Sequence, residues 1–299
     1  MYPPNSIHFP AAFWACLVSR FVAVPVAPPR PMVGDVEGFE RLNGIAADCS
    51  ASVILTDSFY YNISPLDAPV QAVKRVFSHG PKKATAWPKG IKWICTDKAP
   101  KHGLSPSRLP EPEELAYVQY TSGSTRAPRG VYITHRMVMQ NCLMATRDTA
   151  QLPGSRCVSW LPWWHDLMVV TGACIPAIIG NTLIFFSAMK WLKDPTCWFE
   201  AVETEIAIAS AAPNFGLDLM ARKADMERIE HVNLSELVIY SGGETCRHNT
   251  YARFFERFGP LGFRSHNLRN IMGWLSAHYI CLVVLWVIHI SCLRSRSIS

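Results

Sequence analysis

Charge is scarce in this chain of 299 residues: only 17% are Asp, Glu, Lys or Arg, against 49% hydrophobic. Such a balance excludes a disordered or low-complexity protein and fits one large or two medium globular domains. The formal net charge is +6, but the basic residues are scattered, and no Lys/Arg run is long enough to argue for nucleic acid. The ten cysteines stand singly, without a C-x-x-C pair or any His/Cys spacing that suits zinc. They read as lone buried thiols in a reducing, cytoplasmic compartment. The first ten residues lack a basic n-region, and Pro3, Pro4 and Pro10 would interrupt an apolar helix there, which speaks against a signal peptide. Internal repeats are absent, and so is the G-x-x-x-x-G-K-[ST] spacing of a Walker A loop.

What is present is a hydroxyl-rich loop, Tyr120-Thr121-Ser122-Gly123-Ser124-Thr125-Arg126-Ala127-Pro128-Arg129-Gly130-Val131. Leu115 to Tyr120 before it reads as a strand rich in aromatic and branched residues. Thr134-His135-Arg136-Met137 after it opens a helical pattern with Thr134 in an N-cap position. A loop of small residues between a strand and a helix can turn backbone N–H groups and several hydroxyls towards one polyphosphate. A Ser/Thr-rich surface turn is the plainer alternative.

Around this loop, apolar strands alternate with helices. Helices are expected at Phe9 to Ser19 and Val36 to Asp48. Strands are expected at Ala51 to Thr56, Ile91 to Thr96, Cys157 to Leu161, Thr182 to Phe186, Ile206 to Ser210 and Glu236 to Tyr240. The alternation predicts an α/β fold with a mostly parallel sheet covered by helices on both faces. The Pro-rich stretch Lys98–Glu114 is the best linker candidate. An open α/β sheet holds its ligand at the carboxyl ends of its strands. One such end is Ser159-Trp160-Leu161-Pro162-Trp163-Trp164-His165-Asp166. Either His165 and its aromatic neighbours line a pocket, or His165 and Asp166 simply start a helix whose dipole favours the carboxylate.

These stretches together resemble the fatty acyl-AMP ligases, a branch of the acyl-adenylate-forming (AMP-dependent synthetase/ligase) superfamily. The hydroxyl loop is similar to the family's Tyr-Thr-Ser-Gly-Ser-Thr-Gly-x-Pro-Lys-Gly-Val, with Arg126 in place of Gly and Arg129 in place of Lys. The stretch from Ser159 resembles Ser-Trp-Leu-Pro-x-x-His-Asp-Met-Gly-Leu through Asp166, after which Leu167-Met168-Val169 departs. Further matching blocks follow in order: Ala12 to Pro31, Trp191 to Phe199, Ser210 to Leu219, Asn233 to Leu237, Tyr240 to Arg247 and Phe254 to Arg264. Trp87-Pro88 and Trp93 are also similar to the related domains of the disco-interacting proteins, but the intact Ser-Gly-Ser-Thr core fits the fatty acyl branch better.

The resemblance implies a partial N-terminal domain of the adenylate-forming fold, with the small C-terminal domain absent. It implies ATP-dependent activation of a fatty acid carboxylate to acyl-AMP, impaired by truncation, with Mg²⁺ as companion of ATP although its usual carboxylate is not found. An acyl carrier protein or polyketide synthase would take the acyl group. Thr121, Ser122, Gly123, Ser124 and Thr125 would hold phosphates, with Arg129 and His165 catalytic. Gly242, Gly243 and Glu244 would border adenine, while Trp164, Ala212, Pro213, Asn214 and Phe215 would border the acyl chain. The alternatives left open are a non-catalytic nucleotide- or acyl-binding relative and a fragment without function.

The similarity fades after His266, so the expected partition is 1–266 for the AMP-binding domain and 267–299 for a divergent hydrophobic tail. The ten apolar residues from Tyr279 to Ile288 fall short of the about 20 that a membrane span needs. An intron or frameshift that left the family's reading frame is the preferred explanation of the tail, and membrane contact the less favoured one.

Overall fold

The computed structural model describes residues 1–4, 6–62, 86–99, 108–120, 129–149 and 151–271. The chain divides into two compact units, Met1–Arg136 and Met137–Ser299.

In the first unit, α1 (His8–Val18) buries Phe9, Ala12, Phe13 and Leu17, one face at helical spacing. Phe13 packs edge-on to Tyr117 at 5.5 Å, which seats α1 on β3 (Leu115–Tyr120). The stretch from Phe21 to Val26 contributes only a single bridge, Ala23 to Tyr117. Helix α2 (Val36–Asp48) starts where expected because Asp35 caps it, its carboxylate accepting the Gly38 N–H at 3.1 Å. Strands β1 (Val53–Thr56) and β2 (Lys92–Cys95) pair in parallel.

One expectation fails here. The hydroxyl loop does not lead from a strand into a helix. Gly130–Thr134 forms β4, antiparallel to β3, with Tyr120 opposite Gly130. Val131, Tyr132 and Ile133 are branched or aromatic and favour the pleated surface, so the helix waits until His135. Both ends of the loop are therefore anchored in one antiparallel ladder. Its residues 121–128, the candidate phosphate contacts Thr121, Ser122, Gly123, Ser124 and Thr125 among them, lie outside the described residues, as do 100–107 of the Pro-rich stretch.

The second unit is built on a five-stranded parallel sheet of order β6-β5-β7-β8-β9. Helix α3 (His135–Thr149) enters it, β5 (Arg156–Ser159) follows, and residues 166–179 form α4, which passes through a π-helical segment at Val169–Cys174. Next come β6 (Thr182–Phe185), α5 (Ala188–Lys193), α6 (Cys197–Glu205), β7 (Ala209–Ala211), α7 (Asn214–Lys223), β8 (Val238–Gly242), α8 (His248–Phe258) and β9 (Leu268–Ile271). The α/β class with a parallel sheet is thus the one expected.

Two strands start later than the pattern suggests. Ile206 ends α6 in the left-handed region at φ 51°, so β7 cannot begin there. Leu237 closes a turn onto Leu234 O at 3.2 Å, which delays β8 to Val238. Asn267 stabilises that turn, its amide donating to Ser235 O and Leu237 O, each at 2.8 Å.

Strand β9 was not anticipated. Residues 268–271, assigned to the tail on sequence, pair in parallel with Ile239–Gly242 of β8. The remaining tail, 272–299, lies outside the described residues. Among the described residues no helix is long and apolar enough to cross a membrane.

Alternate residues of the central strands face opposite layers. On one side Trp198 Nε1 donates to Ser210 Oγ at 2.9 Å, which in turn donates to Val158 O at 2.6 Å, locking α6 to β5 and β7. On the other, Ser159 Oγ donates to Met168 Sδ at 3.3 Å and holds α4 against β5.

Candidate functional site at the ends of three strands

The carboxyl ends of β5, β7 and β8 bring together most of the residues singled out on sequence. From β5 the chain runs through Trp160 and Leu161, both buried, to His165, the N-cap of α4. Trp163 is 1% exposed and packs edge-on to Phe185 at 4.8 Å, whereas Trp164 is only half-buried. Of the two tryptophans, Trp164 is the one able to meet a ligand.

His165 Nδ1 lies 2.7 Å from Asp166 Oδ1. The Leu167 N–H is 2.7 Å from the same carboxylate oxygen and 3.3 Å from Nδ1. The shorter contacts govern, so the proton sits on Nδ1 and is donated to Asp166. Partial burial pushes the Asp166 carboxyl up, but the hydrogen bond and charge of His165 and the Leu167 amide outweigh it and hold the group below the usual carboxylate range. Asp166 therefore serves the helix start and also orients the imidazole, which leaves Nε2 directed to β8. Of the two readings of this pair on sequence, the helix start is the one these contacts show.

The end of β8 meets His165 at Gly243. Its φ of +79° is left-handed, and a Cβ there would stand 3.4 Å from His165 Cε1 and 3.8 Å from Nε2. Glycine keeps open the space beside Nε2 that any side chain would fill. Gly242, the last residue of β8, is buried, and Glu244 is exposed.

The β7 end is tied to this loop twice. Glu244 Oε1 accepts the Phe215 N–H at 2.7 Å, capping α7, whose own N-cap residue Pro213 has no side chain able to do so. Asn214 Oδ1 accepts the Arg247 N–H at 2.9 Å. Ala212, Pro213 and Asn214 are buried, while Phe215 is 49% exposed at the rim. Phe215 stands edge-on to Trp160 and Trp191, which stack at 3.7 Å with 5° between their planes. Sequence reasoning placed Glu244 beside a base and missed its capping role, because the hydrogen bond joins residues 29 apart.

Between the sheet and α4 lies a small cavity of about 10 Å³. Ser159, Ala211 and Tyr240 of the three strands contribute to it, with Gln151, Thr171 and Leu183. None of these was named as a site residue on sequence, although Ser159, Ala211 and Tyr240 fall within the matching blocks.

Arg129, the other catalytic candidate, is exposed next to β4 in the first unit. Among the described residues, no group of three or more His, Cys, Asp or Glu side chains stands together in a way that could hold a metal. Mg²⁺ that accompanies a nucleotide is commonly held by one or two carboxylates with phosphate oxygens, and no chemical step is routed through the ion.

The parallel sheet with its covering helices is the fold seen in the N-terminal domains of adenylate-forming enzymes. Residues 1–271 match the AMP-binding enzyme family. The chain is 35% identical over 282 residues to a protein of Mycobacterium bovis called putative fatty-acid–CoA ligase fadD21, covering 92% of this chain and 46% of that protein. It is 30% identical over 283 residues to the 4-hydroxyphenylalkanoate adenylyltransferase of Mycobacterium tuberculosis, covering 92% and 43%. A solved fatty acyl-adenylate ligase structure, from a study of the Escherichia coli and Legionella pneumophila enzymes, superposes with a TM-score of 0.72 at 29% identity, covering 91% of this chain and 46% of that one. The chain belongs to the AMP-binding enzyme family, in its fatty acyl-AMP ligase branch. It spans less than half the length of each of these relatives.

Proposed function

We propose that the chain binds ATP and a fatty acid and forms the acyl-AMP, with pyrophosphate as the other product. The observation that carries this reading is the meeting of His165 with Gly243 at the ends of β5 and β8, beside the rim formed by Ala212–Phe215. In this reading the carboxylate attacks the α-phosphorus and pyrophosphate departs. Little covalent chemistry falls to the protein, so its residues act by position and charge. His165, with Nδ1 committed to Asp166, presents Nε2 to the acyl carboxylate and α-phosphate. Gly242, Gly243 and Glu244 border the adenine; Trp164, Ala212, Pro213, Asn214 and Phe215 border the acyl chain. Thr121, Ser122, Gly123, Ser124 and Thr125 hold the outer phosphates, and Arg129 supplies the charge that relatives take from lysine, as a broader fork. An acyl carrier protein or polyketide synthase then accepts the acyl group.

Arg126 stands where the family has glycine and has less access to positive φ, so in this reading it slows the reaction. The test is ATP-dependent acyl-AMP formation by the purified chain, with nucleotide binding followed in parallel. We expect slow product formation, faster in Arg126→Gly, and about 10²-fold slower in His165→Ala with nucleotide binding retained. Nucleotide and fatty acid binding without product in every variant would replace this reading by that of a non-catalytic binding protein.

A further inference from the structure

We propose that Glu244 is a positioning residue, its carboxylate tying the acyl rim at Asn214 and Phe215 to the loop that faces His165; this deepens the fatty acid reading above and rests on it. The loop after β8 meets the imidazole at Gly243. Glu244, the next residue, reaches α7, where its Oε1 accepts the Phe215 N–H at 2.7 Å. That is the length of a charge-assisted hydrogen bond.

Helix α7 has no capping side chain of its own. Its N-cap residue is Pro213, and the first N–H groups of a helix need an acceptor from elsewhere. A serine or aspartate at 213 would supply one locally. The chain instead draws it from a residue 29 positions on, at the end of another strand. The contact thus does more than cap, because it makes the position of the helix start depend on the β8 loop. The positive end of the helix dipole favours a carboxylate there.

A second bond runs the opposite way. Asn214 Oδ1 accepts the Arg247 N–H at 2.9 Å, and the Ala212 N–H donates to Tyr240 O at 2.8 Å. Residues 212–215 are therefore bound to β8 and its loop at three points. Of the three, it is Glu244 that holds Phe215, whose ring is 49% exposed and stands edge-on to Trp160 and Trp191. The β8 loop fixes Phe215 at its backbone, and the two tryptophans fix it at its ring. An acid lying along this rim with its carboxylate at His165 needs both ends kept in register, and Glu244 spans that joint. A misplacement of about 1 Å at the reacting group is enough to cost about 10²-fold in rate.

Isothermal titration calorimetry of the full chain with dodecanoate and, separately, with ATP tests this, alongside urea unfolding. Glu244→Ala should weaken dodecanoate binding about tenfold, the worth of one hydrogen bond to a charged group, and ATP binding by less. Glu244→Gln keeps an oxygen able to accept the Phe215 N–H and should recover most of the dodecanoate affinity. To separate position from capping, Glu244→Ala is repeated in a Pro213→Ser background, where the serine hydroxyl caps α7 without any link to the β8 loop. There Glu244→Ala should cost less stability than in the wild type, yet still weaken dodecanoate about tenfold. A dodecanoate loss that vanishes in that background shows a cap alone and overturns the proposal. So does an unchanged dodecanoate affinity in Glu244→Ala, or an equal loss for ATP. In those cases the fatty acid reading stands, because the wild type binds both ligands. A wild type that binds no dodecanoate overturns both.

Discussion

Gly243 shows how much one position can carry. Its φ of +79° is a conformation that costs a residue with a Cβ about 1–2 kcal/mol, and the open side of the residue faces His165. Gly243→Ala should therefore lower the unfolding free energy by about 1 kcal/mol in urea titration. Combining it with His165→Ala should restore little of that loss, because at 3.4 Å the new methyl would only touch the ring and the strain lies in the backbone. Full restoration would mean that the steric contact, not the φ angle, governs this glycine. The same position faces the imidazole, so the exchange also narrows the space beside Nε2.

At the scale of elements, the joint between α7 and β5 is packed without slack. Gly216 lies in α7, and a Cβ on it would come within 2.8 Å of Trp160 Cζ2. Glycine to alanine inside a helix normally gains up to about 1 kcal/mol. Here Trp160 is stacked on Trp191 at 3.7 Å and has no room to retreat, so we expect Gly216→Ala to destabilise by about 1–3 kcal/mol instead. Thermal unfolding of Gly216→Ala with and without Trp191→Leu checks the cause. The smaller partner should let Trp160 shift and reduce the penalty, and a penalty unchanged by it would place the strain elsewhere.

Across the whole molecule, buried thiols make stability depend on alkaline pH. Burial pushes Cys157 from the ordinary 9.0 up to about 11, opposed only in part by the Asn181 hydrogen bond, and burial raises Cys197 likewise to about 11. The unfolded chain starts to ionise its thiols near pH 9, the folded chain only near 11. The folded state thus holds more protons between these values, and stability falls as pH rises through them. For Cys157 the loss is on the order of 2 kcal/mol. Denaturant midpoints measured from pH 8 to pH 11, about the range in which thiols titrate, should decline, and less steeply in Cys157→Ala. A flat profile would show that the native thiols reach water.

Much of this architecture is legible in one dimension. Asp35 announces α2, the apolar runs announce β1, β5 and β6, and the blocks around His165 and Gly243 suffice to place the chain in its family. Those features depend on neighbours a few residues apart, where capping and periodicity act. The tertiary structure alone decided what depends on distant partners. It paired Gly130–Thr134 with β3 in an antiparallel ladder. It recruited Leu268–Ile271 beside β8, because an unpaired strand edge gains by adding another strand. It also gave Glu244 to the start of α7 and tied the Tyr240 hydroxyl to Ala145 of α3, each through hydrogen bonds between residues far apart in sequence. Local pattern chooses the elements, and burial with hydrogen-bond satisfaction chooses their partners.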